Sequence, residues 1–196
     1  MNKKRYAGYI TGGILIVLGI FFILSFNSLV KKEEKVKLQW NEVQNAYQRR
    51  MDLMPSLVNV VKGVANYEQN TLKELIDARS KAASVNVSGT DVSAAQFQQQ
   101  TKAQDELAAS ANKILISVEK YPDIQGTKAF VGLQTQLEGT ERRIKVARKD
   151  FNEAVQIYNS SVRGFPVSIT GKLFGFKARD GFSSDMGSDK ATEIKF

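Results

Sequence analysis

The segment 6–30 contains no charged residue, and this feature constrains the fold more than any other. A helix of about 25 residues extends roughly 37 Å, which is enough to cross the roughly 30 Å hydrocarbon core of a bilayer. The centre of the segment, residues 14–24, is strongly apolar, and Tyr6 and Tyr9 lie near one end, where amphipathic rings prefer the membrane interface. We therefore predict a single transmembrane helix over residues 6–30, preceded by a basic flank at residues 1–5.

A cleaved signal peptide would also begin with basic residues followed by an apolar stretch. This apolar stretch is longer than the usual core of about 7–15 residues, however, and no small-x-small cleavage site follows it. An uncleaved anchor is therefore the favoured interpretation. The side of the membrane stays open, because positive charge flanks the stretch at Lys3, Lys4 and Arg5 before it and at Lys31, Lys32, Lys35 and Lys37 after it.

The chain contains no cysteine and no histidine. This composition excludes disulfides, thiolate nucleophiles, Cys/His zinc sites and Ser-His-Asp triads. The glutamates form no dense cluster that would predict a cation site, and no glycine-rich loop is present that would bind a phosphate. We predict no catalytic site, no metal and no cofactor. The net charge is +8, but no basic run is interleaved with aromatic residues, so nucleic acid is not expected as a partner.

Three long helical patterns follow the apolar segment. The first covers residues 31–83, and Pro55 falls inside it, which predicts a kink or a break near Leu53 and Met54. The second begins near Asp91 or Ser93, after a polar loop, and stops at the proline of the Tyr121-Pro122 pair. The third, from about residue 125 to residue 162, has the clearest heptad repeat in the chain.

The spacing of the patterns predicts which side chains face inward. In the first pattern they are Val36, Trp40, Val43, Tyr47, Met54, Leu57, Val61 and Val64. In the second they are Phe97, Thr101, Gln104, Ala108, Ala111, Leu115 and Val118. In the third they are Phe130, Leu133, Leu137, Thr140, Ile144, Ala147, Phe151, Ala154 and Tyr158.

The patterns predict an all-α protein, in which one N-terminal transmembrane helix is followed by an antiparallel bundle of three or four long helices over residues 31–163. Oligomeric coiled-coil pairing would leave the same repeat, but the loop lengths favour a bundle within one chain. Residues 164–196 carry glycines and phenylalanines without a helical period, which predicts an irregular tail. This tail would dock on its own bundle, on a partner or on a membrane surface.

Several strings of residues resemble the LemA family, in order and over nearly the whole chain. They are segment 40–58 (Trp40-Asn41-Glu42-Val43 to Pro55-Ser56-Leu57-Val58), Glu119-Lys120-Tyr121-Pro122, Thr140-Glu141-Arg142-Arg143-Ile144 with Ala147-Arg148, Tyr158-Asn159, Phe165-Pro166 and Phe174-Gly175-Phe176. The resemblance implies a single-pass protein of the bacterial cell membrane with an antiparallel helical domain, and it carries no established biochemical role. Members of the family usually have a histidine where Tyr67 stands here, so no metal or acid-base role is carried over to this position.

Arg50 falls on the inward seam between Tyr47 and Met54, where an apolar residue is expected. An unpaired buried charge is costly, so we predict that Arg50 pairs with Glu141 or another acid across the bundle. An internal ion pair that fixes the helix register is the favoured interpretation, and binding of a ligand or partner is the alternative. A separate interaction surface is predicted at the aromatic residues Tyr158, Phe165, Phe174 and Phe176.

The favoured function is that of a membrane-anchored, non-enzymatic scaffold that docks another membrane-associated protein. The first alternative is a lipid-binding or membrane-remodelling protein, because a basic domain beside a bilayer attracts anionic lipid. An enzyme with an unrecognised site is the least favoured of the three.

Overall fold

The computed structural model describes residues 3–62, 69–85 and 94–182. Within these ranges all regular secondary structure is helical, which confirms the all-α prediction. The helices are α1 (Lys3–Lys62), α2 (Gln69–Ser84), α3 (Ala94–Val118), α4 (Pro122–Gln125), α5 (Lys128–Arg163) and α6 (Val167–Phe174). The chain forms two compact units, a central unit of residues Trp40–Lys149 and a terminal unit of residues Met1–Gln39 and Asp150–Phe196.

Helix α1 passes through Pro55 and continues to Lys62, so of the predicted kink or break the structure excludes the break. A proline inside a helix has no N–H to donate to the carbonyl four residues earlier, which here belongs to Met51. That carbonyl instead accepts a hydrogen bond of 3.1 Å from Nε of Arg79 on α2. A side chain from a neighbouring helix thus replaces the missing backbone donor. The first predicted pattern corresponds to α1 up to Lys62 and to α2 from Gln69, and the predicted inward residue Val64 lies outside the described ranges.

The central unit contains four long helical segments in an up-down-up-down arrangement. The ion pairs Lys81–Glu106 and Glu74–Lys113 place α2 antiparallel to α3, since one residue number falls as the other rises. Its core is apolar along α1, α2, α3 and α5. The most deeply buried large apolar residues are Val43, Tyr47, Met54, Leu57, Val61, Leu75, Leu107, Ile114 and Val118.

The predicted seams agree with burial on two of the three helices. All the inward positions predicted for α5 are buried, and so are those predicted for α1 up to residue 61. The prediction for α3 was wrong at alternate positions: Gln100, Leu107 and Ile114 are buried, whereas Thr101, Ala108 and Leu115 are only partly buried. From Phe97 onward, the buried positions are spaced by three and then four residues, whereas the predicted positions were spaced by four and then three. Because Gln100 is polar, the sequence did not mark it as an inward position.

The terminal unit adds α6 and an extended segment, residues 176–182, to the ends of α1 and α5. The tail is therefore only partly irregular, because residues 167–174 form a helix that the sequence did not predict. Gly175 ends this helix with a φ of 78°, a left-handed conformation that favours glycine. The Phe176 N–H then donates to the Gly171 carbonyl at 2.9 Å. Eight residues are too few to show a period, and Thr170 and Gly171 are buried against the rest of the unit.

Candidate functional site

The structure places Arg50 inside the central unit, with only 3% of its side chain exposed. Its guanidinium binds both carboxylate oxygens of Glu141, through Nε at 2.8 Å and Nη2 at 2.5 Å. Its Nη1 donates to the backbone carbonyl of Gln104 at 2.9 Å. The two residues singled out from the sequence are thus brought together, and a third helix takes part. Three donors of Arg50 on α1 thus bind acceptors on α3 and α5, which fixes the relative register of the three helices.

A second polar network lies beside the first and was not predicted from the sequence. Arg148 on α5 donates from Nε to the Tyr47 hydroxyl at 3.0 Å and from Nη2 to Oδ1 of Asp105 at 2.7 Å. Burial raises the pKa of Tyr47 above its ordinary value, although the nearby guanidinium of Arg148 opposes the change. Burial lowers the pKa of Arg148, but the contacts with Tyr47 and Asp105 more than compensate, so its net shift is upward.

The raised pKa of Tyr47 predicts a loss of stability at alkaline pH. The folded state holds this proton more tightly than the unfolded chain does, so the stabilisation is complete below the unfolded value of 10.0 and is lost as the pH rises through the folded pKa. We expect the free energy of unfolding to fall as the pH rises above 10.0, and the fall to be shallower in Tyr47→Phe. Tyr121→Phe serves as the control for the loss of one tyrosine. Equal slopes in the two variants would contradict the prediction.

A cleft of about 520 Å³ opens on the side of the central unit, between α1, α2 and α3. It is lined by amide side chains, by two aromatic rings and by Arg79, and none of the described residues that line it is a carboxylate. The amides are Asn41, Gln44, Asn45, Gln48, Gln100 and Gln104. Gln44 and Gln100 pair with each other through two amide hydrogen bonds of 2.9 and 2.7 Å. Sequence reasoning missed this amide cleft, because its amides are divided between α1 and α3 and form no local motif.

The terminal unit holds an extended segment of the tail with two asparagines of α5, which we call the amide clamp. Asn159 donates to the Arg179 carbonyl at 2.7 Å and accepts from its N–H at 2.8 Å. Asn152 does the same with Phe182, at 3.0 and 2.7 Å. Seven helical residues and three extended residues both span about 10 Å, so the two asparagines match the repeat of the extended backbone.

Side-chain contacts add to the amide clamp. Arg179 pairs with Glu33 of α1 at 2.5 Å and lies over the ring of Tyr158, with its guanidinium carbon 5.9 Å from the ring centroid. The ring of Phe182 meets that of Phe151 edge-on, at 5.6 Å between centroids. The tail up to residue 182 therefore docks on its own unit, one of the three outcomes considered for it.

A methyl group at Gly181 is expected to release the clamped segment. A Cβ at this position would lie 2.7 Å from Oδ1 of Asn152, the atom that accepts the Phe182 N–H. We expect trypsin to cut Gly181→Ala after Lys177 and Arg179 about tenfold faster than the parent, which corresponds to about 1.4 kcal/mol of local opening. Gly139→Ala is the matched control, since nothing lies within 4 Å of its Cβ. Unchanged cleavage in Gly181→Ala would show that the asparagine yields without loss of the clamp.

The residues of the predicted interaction surface have different exposures. Tyr158 is 1% exposed, so the structure contradicts its assignment to a contact surface, because the ring packs inside the terminal unit. Phe165 and Phe174 are 84% and 53% exposed. Phe176 is partly buried against Phe26, at 5.6 Å between ring centroids. The surface therefore reduces to Phe165 and Phe174, with Phe176 at its edge.

The apolar segment of α1 is long and apolar enough to cross a membrane, with a mean hydropathy of 2.5, and 11% of it is buried. Ile10, Leu15, Ile16, Val17, Ile23 and Leu24 are each more than 60% exposed. A helix from a soluble core would be mostly covered by other elements, which this segment is not.

The model of the LemA family matches residues 39–196. The chain belongs to the LemA family. Protein LemA of Metamycoplasma hominis is 23% identical over 154 residues, which cover 77% of this chain and 67% of that relative. Magnetosome protein MamQ 2 of Paramagnetospirillum magneticum is 23% identical over 186 residues, which cover 85% of this chain and 68% of that relative. Magnetosome protein MamQ of Magnetospirillum gryphiswaldense is 22% identical, with the same coverage.

The match confirms the family that the sequence motifs indicated, and the structure explains what some of these LemA motifs do here. Asn159 of the Tyr158-Asn159 motif clamps the tail, and Gly175 of the Phe174-Gly175-Phe176 motif ends α6. Tyr67, where the family usually has histidine, lies outside the described ranges. Among the residues that the structure describes, no group of three or more acidic side chains is placed to hold a metal ion.

Proposed function

We propose that this LemA-family protein is a membrane-anchored, non-enzymatic interaction protein whose central unit binds an extended segment of a partner protein in the amide cleft. The observation that carries the proposal is the rim of the cleft. Asn41 and Asn45 line it, are exposed, and make no side-chain hydrogen bond to any residue that the structure describes. A scaffold of this kind needs directed polar groups that are not already used by the fold.

Carboxamides suit a peptide backbone as a ligand. Each peptide unit presents one N–H and one carbonyl, and each Asn or Gln side chain presents the complementary acceptor and donor. Asn41 and Gln48 are seven residues apart on α1, the same spacing as Asn152 and Asn159 of the amide clamp. The Gln48 amide nitrogen donates to Asp52 at 2.8 Å, which leaves its carbonyl oxygen as an acceptor for a ligand. The clamp binds a strand-like segment of this chain at that spacing, which supports binding of a foreign segment at the cleft.

The other groups in the cleft favour binding over catalysis. Trp40 and Tyr47 supply apolar surface, and the cleft is of a size typical of ligand sites. Arg79 donates to the Met51 carbonyl, and the Tyr47 hydroxyl accepts from Arg148. The polar groups that could move a proton are thus engaged by the fold, which supports a non-enzymatic role.

The anchor half of the proposal rests on α1. Exposed apolar side chains over residues 9–24 would be unfavourable in water at about 25 cal/mol per Å², and a bilayer removes this cost. All backbone groups inside such a helix are satisfied internally, as a membrane requires. We place the protein in the bacterial cell membrane as a single-pass protein on this basis.

Site-specific photo-crosslinking in cells tests the proposal. A photoreactive residue replaces Asn45 in the cleft, and a matched one replaces Asn112, which is exposed on α3 outside the cleft. We expect one reproducible protein adduct from position 45, no such adduct from position 112, and a several-fold reduction when Asn41→Leu is added. Equal capture from both positions, or capture unaffected by Asn41→Leu, would overturn the cleft as the binding site. Adducts with lipid alone would favour the membrane-remodelling alternative.

A further inference from the structure

Exposed apolar side chains gather at the short helix of the terminal unit. Phe165, Ile169, Leu173 and Phe174 are 84%, 49%, 68% and 53% exposed. Ile169 and Leu173 are four residues apart on α6, so they share one face of the helix. Such a cluster on an eight-residue helix is more apolar than a water-facing helix requires.

The opposite face of α6 packs on the protein. Thr170 and Gly171 are buried, and a Cβ at Gly171 would be in van der Waals contact with Val162 of α5 and Leu29 of α1. The helix is therefore fixed in place with its apolar face directed outward. No described residue covers that face.

The location of α6 identifies what covers it. The ring of Phe174 lies edge-on to that of Phe26, with centroids 4.9 Å apart, and Phe26 belongs to the last turns of the segment 6–30. Leu29, which Gly171 approaches, is one turn further along. The exposed face of α6 is thus continuous with the C-terminal end of the apolar segment 6–30. Lipid surrounds this end of the segment if α1 is inserted in a membrane.

The charges around α6 fit the headgroup layer. The stretch from residue 163 to residue 177 carries three basic residues, Arg163, Lys172 and Lys177, all exposed, and no acidic residue. A short helix with an apolar face rich in Phe, Leu and Ile and a basic flank is typical of the membrane interface. Positive charge at this level attracts anionic lipid.

We propose that α6, with the Phe165 turn before it, lies in the bilayer interface beside the transmembrane segment. Its apolar face lies among the parts of the acyl chains nearest the headgroups, and its basic residues lie among anionic headgroups. This inference rests on the membrane anchor proposed above. It gives the terminal unit a second contact with the bilayer, one that fixes which side of α1 faces the lipid and which side faces α5.

The absence of cysteine makes a direct test simple, because single cysteines can be introduced and spin-labelled in the full chain. Labels replace Leu173 on α6, Ile116 on the central unit and Ile16 in the span. Leu173 and Ile116 are matched, with 68% and 64% exposure. The full-length protein is reconstituted in vesicles of phosphatidylcholine and phosphatidylglycerol, and collisions with oxygen and with a water-soluble nickel complex are measured.

We expect an oxygen-to-nickel accessibility ratio several-fold higher at position 173 than at position 116. A nickel-accessible label at 173 together with a lipid-exposed label at 16 would overturn the inference and leave the anchor intact. A nickel-accessible label at 16 would overturn the anchor itself. A label at 173 that is shielded from both reagents would mean that protein, such as a second copy, covers α6, and this also overturns the inference.

The contribution of headgroups is tested with the double variant Arg163→Gln and Lys172→Gln. We expect the accessibility ratio at 173 to fall in vesicles that contain phosphatidylglycerol and to stay unchanged in vesicles of phosphatidylcholine alone. An equal effect in both lipids would overturn the assignment of anionic headgroups to the basic flank.

Discussion

Truncation of Leu107 to alanine is expected to lower the free energy of unfolding by about 3–4 kcal/mol, in the middle of the range for buried leucines. Leu107 has no exposed surface and belongs to the apolar core of the central unit. The cost has two parts: the methyl groups lose their burial, and the four-helix core is left with a cavity that it can only partly close. Urea unfolding of the full chain in detergent micelles, followed by circular dichroism, measures the effect.

Leu115→Ala is the matched control for this substitution. The same residue type lies on the same helix, but Leu115 is only partly buried at the edge of the core. We expect a loss of about 1 kcal/mol or less for Leu115→Ala. If Leu115→Ala were as costly as Leu107→Ala, the seam first predicted for α3 would be right and the observed one wrong.

Removal of the Glu141 carboxylate is expected to have the next largest effect. In Glu141→Ala the buried guanidinium of Arg50 loses its bidentate partner and keeps only its contacts with Gln104. Breaking a fully buried ion pair costs about 3–5 kcal/mol, but about half of the Glu141 side chain is exposed, so water replaces part of the lost interaction. We therefore expect a loss of about 2–3 kcal/mol, measured in the same urea experiment.

Arg50→Met distinguishes the two interpretations of this pair. A methionine fills much of the same volume without a charge, and the Glu141 carboxylate that loses its partner is about half exposed, so water can solvate it. We expect Arg50→Met to be destabilised far less than Glu141→Ala and to keep the adduct formed from position 45. A well-folded Arg50→Met protein that loses this adduct would show that Arg50 binds a partner and is not confined to fixing the register.

Helix positions could be predicted where the repeat is regular and apolar, and less well where polar residues occupy the seam. The α5 seam was correct at every position because aliphatic and aromatic residues recur there with a single interruption, at Thr140. On α3, Gln100 is 3% exposed because Gln44 pairs with it from α1. A glutamine satisfied by a residue 56 positions away cannot be distinguished from a surface glutamine by local pattern alone.

Pro55 and the tail show a second limit on what local sequence can predict. Intrinsic propensity predicts a break at a proline, but tertiary structure supplied Arg79 to the orphaned carbonyl and the helix continued. Helix α6 and the amide clamp also depend on partners distant in sequence. The pairing of Arg50 with an acid could be anticipated, because burying a lone charge is costly wherever the partner lies. The amide cleft could not, since its amides are uncharged and divided between two helices distant in sequence.

The large sequence separation of Arg50 and Glu141 has a consequence for the synthesis of the protein. The two residues are 91 positions apart, and α1 leaves the ribosome first. At a translation rate of about 5–20 residues per second, the inward seam of α1 stays uncovered by α5 for about 5–20 s. In the arrangement proposed above, the residues that precede the seam already hold the nascent chain at the membrane during that time. Biosynthesis therefore includes a stage at which a tethered, half-uncovered helix needs shielding, and that stage ends only when the last long helix has emerged.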